Sequence, residues 1–208
     1  MNDDKQPPFF IAESLALDFL NTVATPVNTP VDWIDCGDGL LAWLDQARLV
    51  PAEALQALKA QALPGEFDMV ASQARALREW FRAFVMARAG RKLRRGDLPE
   101  LEPLNHLLAR DERFDEIVAG TRGEGSLLVT HTSRRWRSPE SLLLPIGMEL
   151  ARFVCEDDFT YVKSCEGSSC TLLFVDRARG RARRWCSMAI CGNRAKQIAH
   201  RNRRKAKP

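Results

Sequence analysis

The chain has 208 residues, 45% of them hydrophobic, and a net charge of +4. That length allows one large domain or one domain with a small module, and the composition is globular rather than fibrous or disordered. No apolar run reaches the roughly 18 residues of a membrane span, so no membrane partner is expected. The charge is unevenly divided. Residues 177–208 hold 12 Lys or Arg and no Asp or Glu, while the rest has 19 basic against 27 acidic residues, a net of −8. An acidic body with a basic tail points to a polyanion as partner of the tail.

In chain order, residues 7–11 read as a short extended entry. Residues 13–23 carry Leu15, Leu17, Phe19, Leu20 and Val23 in mixed periods, which leaves strand and helix open. A helix is favoured, and it would turn Asp18 and Asn21 towards one pocket. A loop rich in Pro, Asp and Gly spans 24–39. Asp38 suits the N-cap of a helix bearing Leu40, Leu41, Trp43 and Leu44. Pro51 opens a short helix with Leu55 and Leu58 inward. The clearest helix runs from Asp68 to Ala89, with Val70, Ala74, Leu77, Phe81 and Phe84 on one face and Gly90 placed to end it. Pro103 opens another. Residues 117–119 and 127–132 pattern as two arms of a hairpin. Ser138-Pro139-Glu140 then starts a helix with Leu142, Leu143, Ile146, Leu150 and Phe153 on its apolar face, bent near its first turns by Pro145. Cys155 ends that face and reads as a small core residue. Residues 156–158 break the pattern, which sets a boundary between 1–158 and 159–208. The expected fold class is α+β: a mostly helical N-terminal domain with a small hairpin, then a small four-cysteine module.

The module itself is built on two cysteine pairs, Cys165 with Cys170 and Cys186 with Cys191. Between them, Leu172–Val175 and Arg183–Trp185 suggest two arms of a hairpin turning at Gly180. Four thiolates in two local pairs suit a tetrahedral metal, with zinc–sulfur distances of about 2.3 Å. Gly192 would let the backbone pass close to that metal. The segment has too few apolar residues to form a core alone, so the metal would supply the missing stability. The competing reading is two disulfides, which need an oxidising compartment. No basic stretch followed by an apolar one stands at the N-terminus, so a cytoplasmic location and Zn2+ are favoured.

Residues 183–196, R-R-W-C-S-M-A-I-C-G-N-R-A-K, resemble the CGNR-type zinc finger, named for its Cys191-Gly192-Asn193-Arg194 string. In that family the finger follows an ABATE domain, whose opening is similar to Leu15-Ala16-Leu17-Asp18-Phe19-Leu20-Asn21-Thr22 here. The resemblance implies zinc bound by Cys165, Cys170, Cys186 and Cys191, and a role in stress-induced transcriptional regulation with DNA as partner.

On the final helix, Arg194, Lys196, Arg201, Arg203, Arg204 and Lys205 surround a narrow stripe of Ile190, Ala195, Ile198 and Ala199. Arg183 and Arg184, with Arg177, Arg179 and Arg181, would add a second basic surface. Such cations reach phosphates and give salt-dependent affinity. Asp18, Asn21, Thr22 and Arg78 are polar groups within apolar stretches and are candidates for binding a small effector. No G-x-S-x-G, P-loop or dinucleotide fingerprint is present, so no catalytic role is expected. The expectation is a zinc-dependent regulator with a DNA-binding finger, possible as a homodimer. The alternative is a small-molecule-binding protein or enzyme whose finger is a structural or protein-docking module.

Overall fold

The structure is a computed structural model, and it describes residues 7–25, 29–120 and 127–205. The helices are α1 (Leu15–Leu20), α2 (Gly37–Gln46), α3 (Ala52–Gln61), α4 (Glu66–Met86), α5 (Glu102–Leu108), α6 (Leu143–Glu156) and α7 (Asn193–Lys205). Three antiparallel pairs accompany them: β1 (Val23–Ala24) with β2 (Val31–Asp32), β3 (Arg113–Ala119) with β4 (Leu128–Arg134), and β5 (Val162–Ser164) with β6 (Leu173–Val175). Among the described residues no helix is long and apolar enough to cross a membrane.

Helix α4 is central. It packs on α1 and α2, and α6 packs on α1 and α5. Val70, Ala74, Phe81 and Phe84 are buried as their spacing dictates. At the end of α4, Phe81 and Phe84 meet Phe153 of α6 and Phe159 just beyond it, with Phe153 and Phe159 centred 4.9 Å apart. Gly90 follows the helix with φ 83°, in the left-handed region that favours glycine. Its N–H donates to the Phe159 carbonyl at 2.9 Å, fixing the end of α4 to the start of the C-terminal module.

Several expectations change in local detail. The first helix stops at Leu20, and Val23 enters a strand because β2 pairs with it. Asp38 lies inside α2 rather than capping it. The Gly37 N–H is satisfied from outside the local sequence, by Asp68 Oδ1 of α4 at 2.7 Å. Pro145 sits in the first turn of α6, where its missing N–H costs nothing, and the bend takes the form of a 3-10 turn over Pro139–Leu142. Cys155 is exposed at the end of that helix rather than in the core.

The hairpin of the C-terminal module is also drawn differently. Leu173–Val175 pairs with Val162–Ser164, upstream, and not with Arg183–Trp185. The apolar arm goes where it can be buried: Leu172, Leu173, Phe174 and Val175 are all within the core, whereas the arginine-rich segment cannot be. One hydrophobic core therefore runs from Ala12 to Cys191 through both parts of the chain.

Candidate metal centre and basic surface

The β5–β6 ladder ends at Ser164 and Leu173, and the chain between them folds into a tight knuckle. The Cys165 N–H donates to the Leu172 carbonyl at 2.9 Å, and the Cys170 N–H donates to the Gly167 carbonyl at 3.0 Å. These bonds bring the first cysteine pair together. Gly167 suits this close approach, because a Cβ there would lie 3.0 Å from both Cys170 Cβ and Cys191 Sγ and press on both. The close-approach role expected of Gly192 therefore falls to Gly167, whereas Gly192 makes room for Met188 and Trp185.

The second pair arrives from the other side. The Glu166 N–H donates to the Arg184 carbonyl at 3.0 Å, which lays the segment before Cys186 along the knuckle. Cys191 sits in a single π turn, Met188–Gly192, that opens α7. Ser187 caps it, its hydroxyl accepting from Ala189 N–H at 3.1 Å and Ile190 N–H at 3.3 Å.

The ligand atoms of Cys165, Cys170, Cys186 and Cys191 all lie within 4.8 Å of one another. Cys170 and Cys186 Sγ are 3.8 Å apart, and all four cysteines are free. A disulfide would need about 2.05 Å. Tetrahedral zinc with bonds of about 2.3 Å places sulfurs about 3.8 Å apart, so the spacing suits zinc. Two amides aim at Cys165 Sγ, Cys186 N–H at 3.2 Å and Gly167 N–H at 3.4 Å. The Cys170 thiol is drawn down to about 5 by the hydrogen bond from Cys186, while Cys186 is pushed up by that same bond and by burial, and Cys191 is pushed up to about 12, chiefly by burial. A divalent cation removes that obstacle and lets the thiols ionise together as ligands.

The effector candidates are drawn into internal contacts. Asp18 Oδ1 accepts from the Ile11 and Ala12 amides at 2.9 and 3.0 Å. Asn21 pairs with both backbone groups of Leu173, Nδ2 donating to its carbonyl and Oδ1 accepting from its N–H, each at 2.9 Å. Arg78 forks onto Asp32 at 2.8 Å and donates to the Thr22 hydroxyl at 3.0 Å. Asp18 and Asn21 thus face different partners rather than one pocket.

Within the second basic surface Arg183 is turned inward, whereas Arg177, Arg179, Arg181 and Arg184 stay exposed. The Arg183 guanidinium lies over the Phe174 ring and binds Glu13 together with the carbonyls of Ile11, Trp185 and Cys186. Arg183, expected to contact nucleic acid, here bridges the N-terminal segment and the metal loop. Arg177 pairs with Asp157, Arg184 with Glu166, and Arg181 lies 3.8 Å from the centre of the Tyr161 ring. Lys196 and Arg201 on α7 are exposed and Arg194 is half-buried, and none of the three makes an ion pair among the described residues. Arg203, Arg204 and Lys205 continue the helix, but their side chains lie outside the described residues. Among the described residues of the stripe, Ile190 packs against the core and Ile198 is exposed.

Sequence reasoning missed Asp176. This carboxylate is fully buried, and it accepts from Lys163 Nζ at 2.7 Å, Arg183 N–H at 3.0 Å and Ala178 N–H at 3.1 Å. A charged residue closing the apolar run Leu172–Val175 was the available signal, since a buried carboxylate needs partners.

A buried cluster of four cysteines between a β-hairpin knuckle and a helix start defines a zinc-binding protein, with Cys165, Cys170, Cys186 and Cys191 as ligands. The family models agree with that class. Residues 161–204 match the CGNR zinc finger. Residues 13–157 match ABATE, described as "Putative stress-induced transcription regulator", and the chain belongs to this family. A comparison with curated proteins finds no match.

Proposed function

We propose that this chain is a non-catalytic, cytoplasmic transcriptional regulator that binds DNA through α7, with zinc holding the start of that helix. The observation that carries the reading is the cation-only stretch 177–208, whose described cations on α7 have no internal carboxylate partner. Exposed, unpaired cations on a helix bind phosphate and release counterions. Reading a symmetric site would take two chains, one for each half-site. A small effector would have to displace an internal partner at Asp18, Asn21, Thr22 and Arg78. The reading favoured here gives Asn21, which holds both backbone groups of Leu173, a coupling role between body and finger.

A second reading is supported by the shared core. The finger's hairpin is buried against α1, as expected of a structural staple. Fluorescence anisotropy with duplex DNA over a range of salt separates the two. The regulator reading expects binding that weakens steeply with salt and is lost in a Lys196→Ala, Arg201→Ala variant that keeps its zinc. A zinc-loaded wild type that ignores DNA at low salt leaves the staple reading in place.

A further inference from the structure

A cleft of about 640 Å³ opens beside the metal loop, at the root of α7. Its walls are Ile11, Ala182, Arg184, Trp185, Ser187 and Met188, together with parts of Arg183 and Cys186. The volume falls in the range of about 300–1,000 Å³ typical of small-ligand sites. The lining is mainly apolar and includes one flat indole and one exposed thioether. Gly192 allows that arrangement, because a Cβ there would lie 2.5 Å from Met188 Sδ and 3.1 Å from Trp185 Cδ1. The Arg184 guanidinium stands 4.9 Å from the Trp185 ring, so this ring already carries a planar group. Arg184 is itself largely exposed and pairs with Glu166 at the surface.

We propose that this cleft takes an unstacked nucleobase from a single-stranded stretch of nucleic acid whose phosphates lie along α7. The proposal rests on the nucleic-acid reading above and names the form of nucleic acid. Three observations converge on a base rather than an apolar side chain of a protein. The cleft offers an aromatic face and a guanidinium for stacking, which any base satisfies with its π-face. The Ser187 hydroxyl, which accepts two amides, keeps its own proton to donate to a base edge. The sequence from 177 onwards has no acidic residue, and the carboxylates beside the cleft, Glu13 and Glu166, are each paired with an arginine, so the strip from the cleft along α7 suits a ligand attached to a polyanion. A base paired inside a duplex cannot enter a cleft of this kind without leaving its stack.

The test compares labelled oligothymidylate with a duplex of the same length at one salt concentration, using zinc-loaded wild type, Trp185→Leu and Met188→Ala. Trp185→Leu is expected to weaken single-strand binding on the order of 5- to 100-fold, the loss expected for one stacked base. Duplex binding and the salt slope should stay unchanged, since phosphate contacts are untouched. Thymidine monophosphate at the same concentration should not compete. If it does, the cleft is a small-molecule site and the proposal is overturned. Single-strand binding that is unchanged in both variants also overturns it, while leaving DNA binding by α7 intact. A wild type that binds neither strand form overturns both readings. Should Trp185→Leu lose its zinc, ultraviolet crosslinking of wild type to a bromodeoxyuridine-substituted single strand decides. An adduct on residues 182–188 supports the cleft, and an adduct confined to other residues removes it.

Discussion

Residues 162–176 and 193–205 belong to one zinc module, yet they are held in opposite ways. The first stretch lies in the common core, with Val162 and Leu172 to Val175 buried and Leu173 clasped by Asn21 from α1. The second leaves the core within its first turns, and Ile198, its large apolar residue, is already exposed. The four cysteines lie at the seam between them. Apolar area secures the hairpin, and it has little to offer the helix, so the metal and the Ser187 cap must fix where α7 begins. The hairpin half should thus respond to changes in the body, and the helix half to the metal.

The most severe way to break this comparison is to remove the metal. Cys186→Ser with Cys191→Ser is expected to take zinc from one per chain to none by elemental analysis. Structural zinc contributes about 10–16 kcal/mol in isolated fingers. Here the loss should be graded: α7 detaches and its amides exchange freely, while the β5–β6 amides stay protected by the shared core. Equal loss of protection in both stretches would show that the hairpin has no anchorage of its own.

The next largest effect tests the body's grip. Asn21→Ala strips both backbone partners from Leu173, and each unsatisfied buried group costs about 1–3 kcal/mol. The midpoint of urea unfolding should fall accordingly, and zinc should pass to a chelator faster than from wild type. An unchanged transfer rate would uncouple the first helix from the metal centre.

Two buried carboxylates sharpen the comparison through pH. Burial pushes Asp18 up to about 6, against the pull of the Ala12 and Ile11 amides and the charge of Arg183. Its folded value exceeds the ordinary 3.8, so its contribution is present below that value and lost as the pH rises through about 6. Asp176 behaves in the opposite sense. Burial raises it, but Lys163 and the Ala178 and Arg183 amides outweigh burial and hold it below 3.8. Its contribution is present above 3.8 and lost as the pH falls further. Asp18→Asn should therefore flatten a decline on the order of 3 kcal/mol between acid and neutral pH. Asp176→Asn should flatten only the acid limb. Unfolding midpoints measured across the pH range check both.

The metal ligands were legible because four cysteines in two close pairs carry their chemistry in local spacing. The α4 stripe was legible for a similar reason, since helical periodicity is local. What escaped depends on contacts far apart in sequence. Nothing near Asn21 announces Leu173, 152 residues on. Likewise, the arginines of 177–184 read as one basic surface until Asp157, Glu166, Glu13 and the ring of Tyr161 are seen to take up four of them. The strand partner of Leu173–Val175 lies upstream, where local patterning offers no hairpin signal. The choice was made by burial, which favoured Val162 over the arginines.

The smallest expected effect is the most specific to the helix half. Lys196 and Arg201 are exposed on α7 and make no ion pair among the described residues. Replacing either with Ala should change stability by less than about 0.5 kcal/mol, because no buried contact is lost. The same change should lower the salt slope of DNA binding by about one for each phosphate contact removed. A stability loss comparable to that of Asn21→Ala would mean that α7 is packed after all, and the contrast between the two halves would go with it. Unaltered stability with an unaltered slope would instead leave the helix free but place the phosphate contacts elsewhere. The remaining described cation on that helix is Arg194, which is half-buried beside the metal loop, so its replacement should lower both the slope and the retention of zinc.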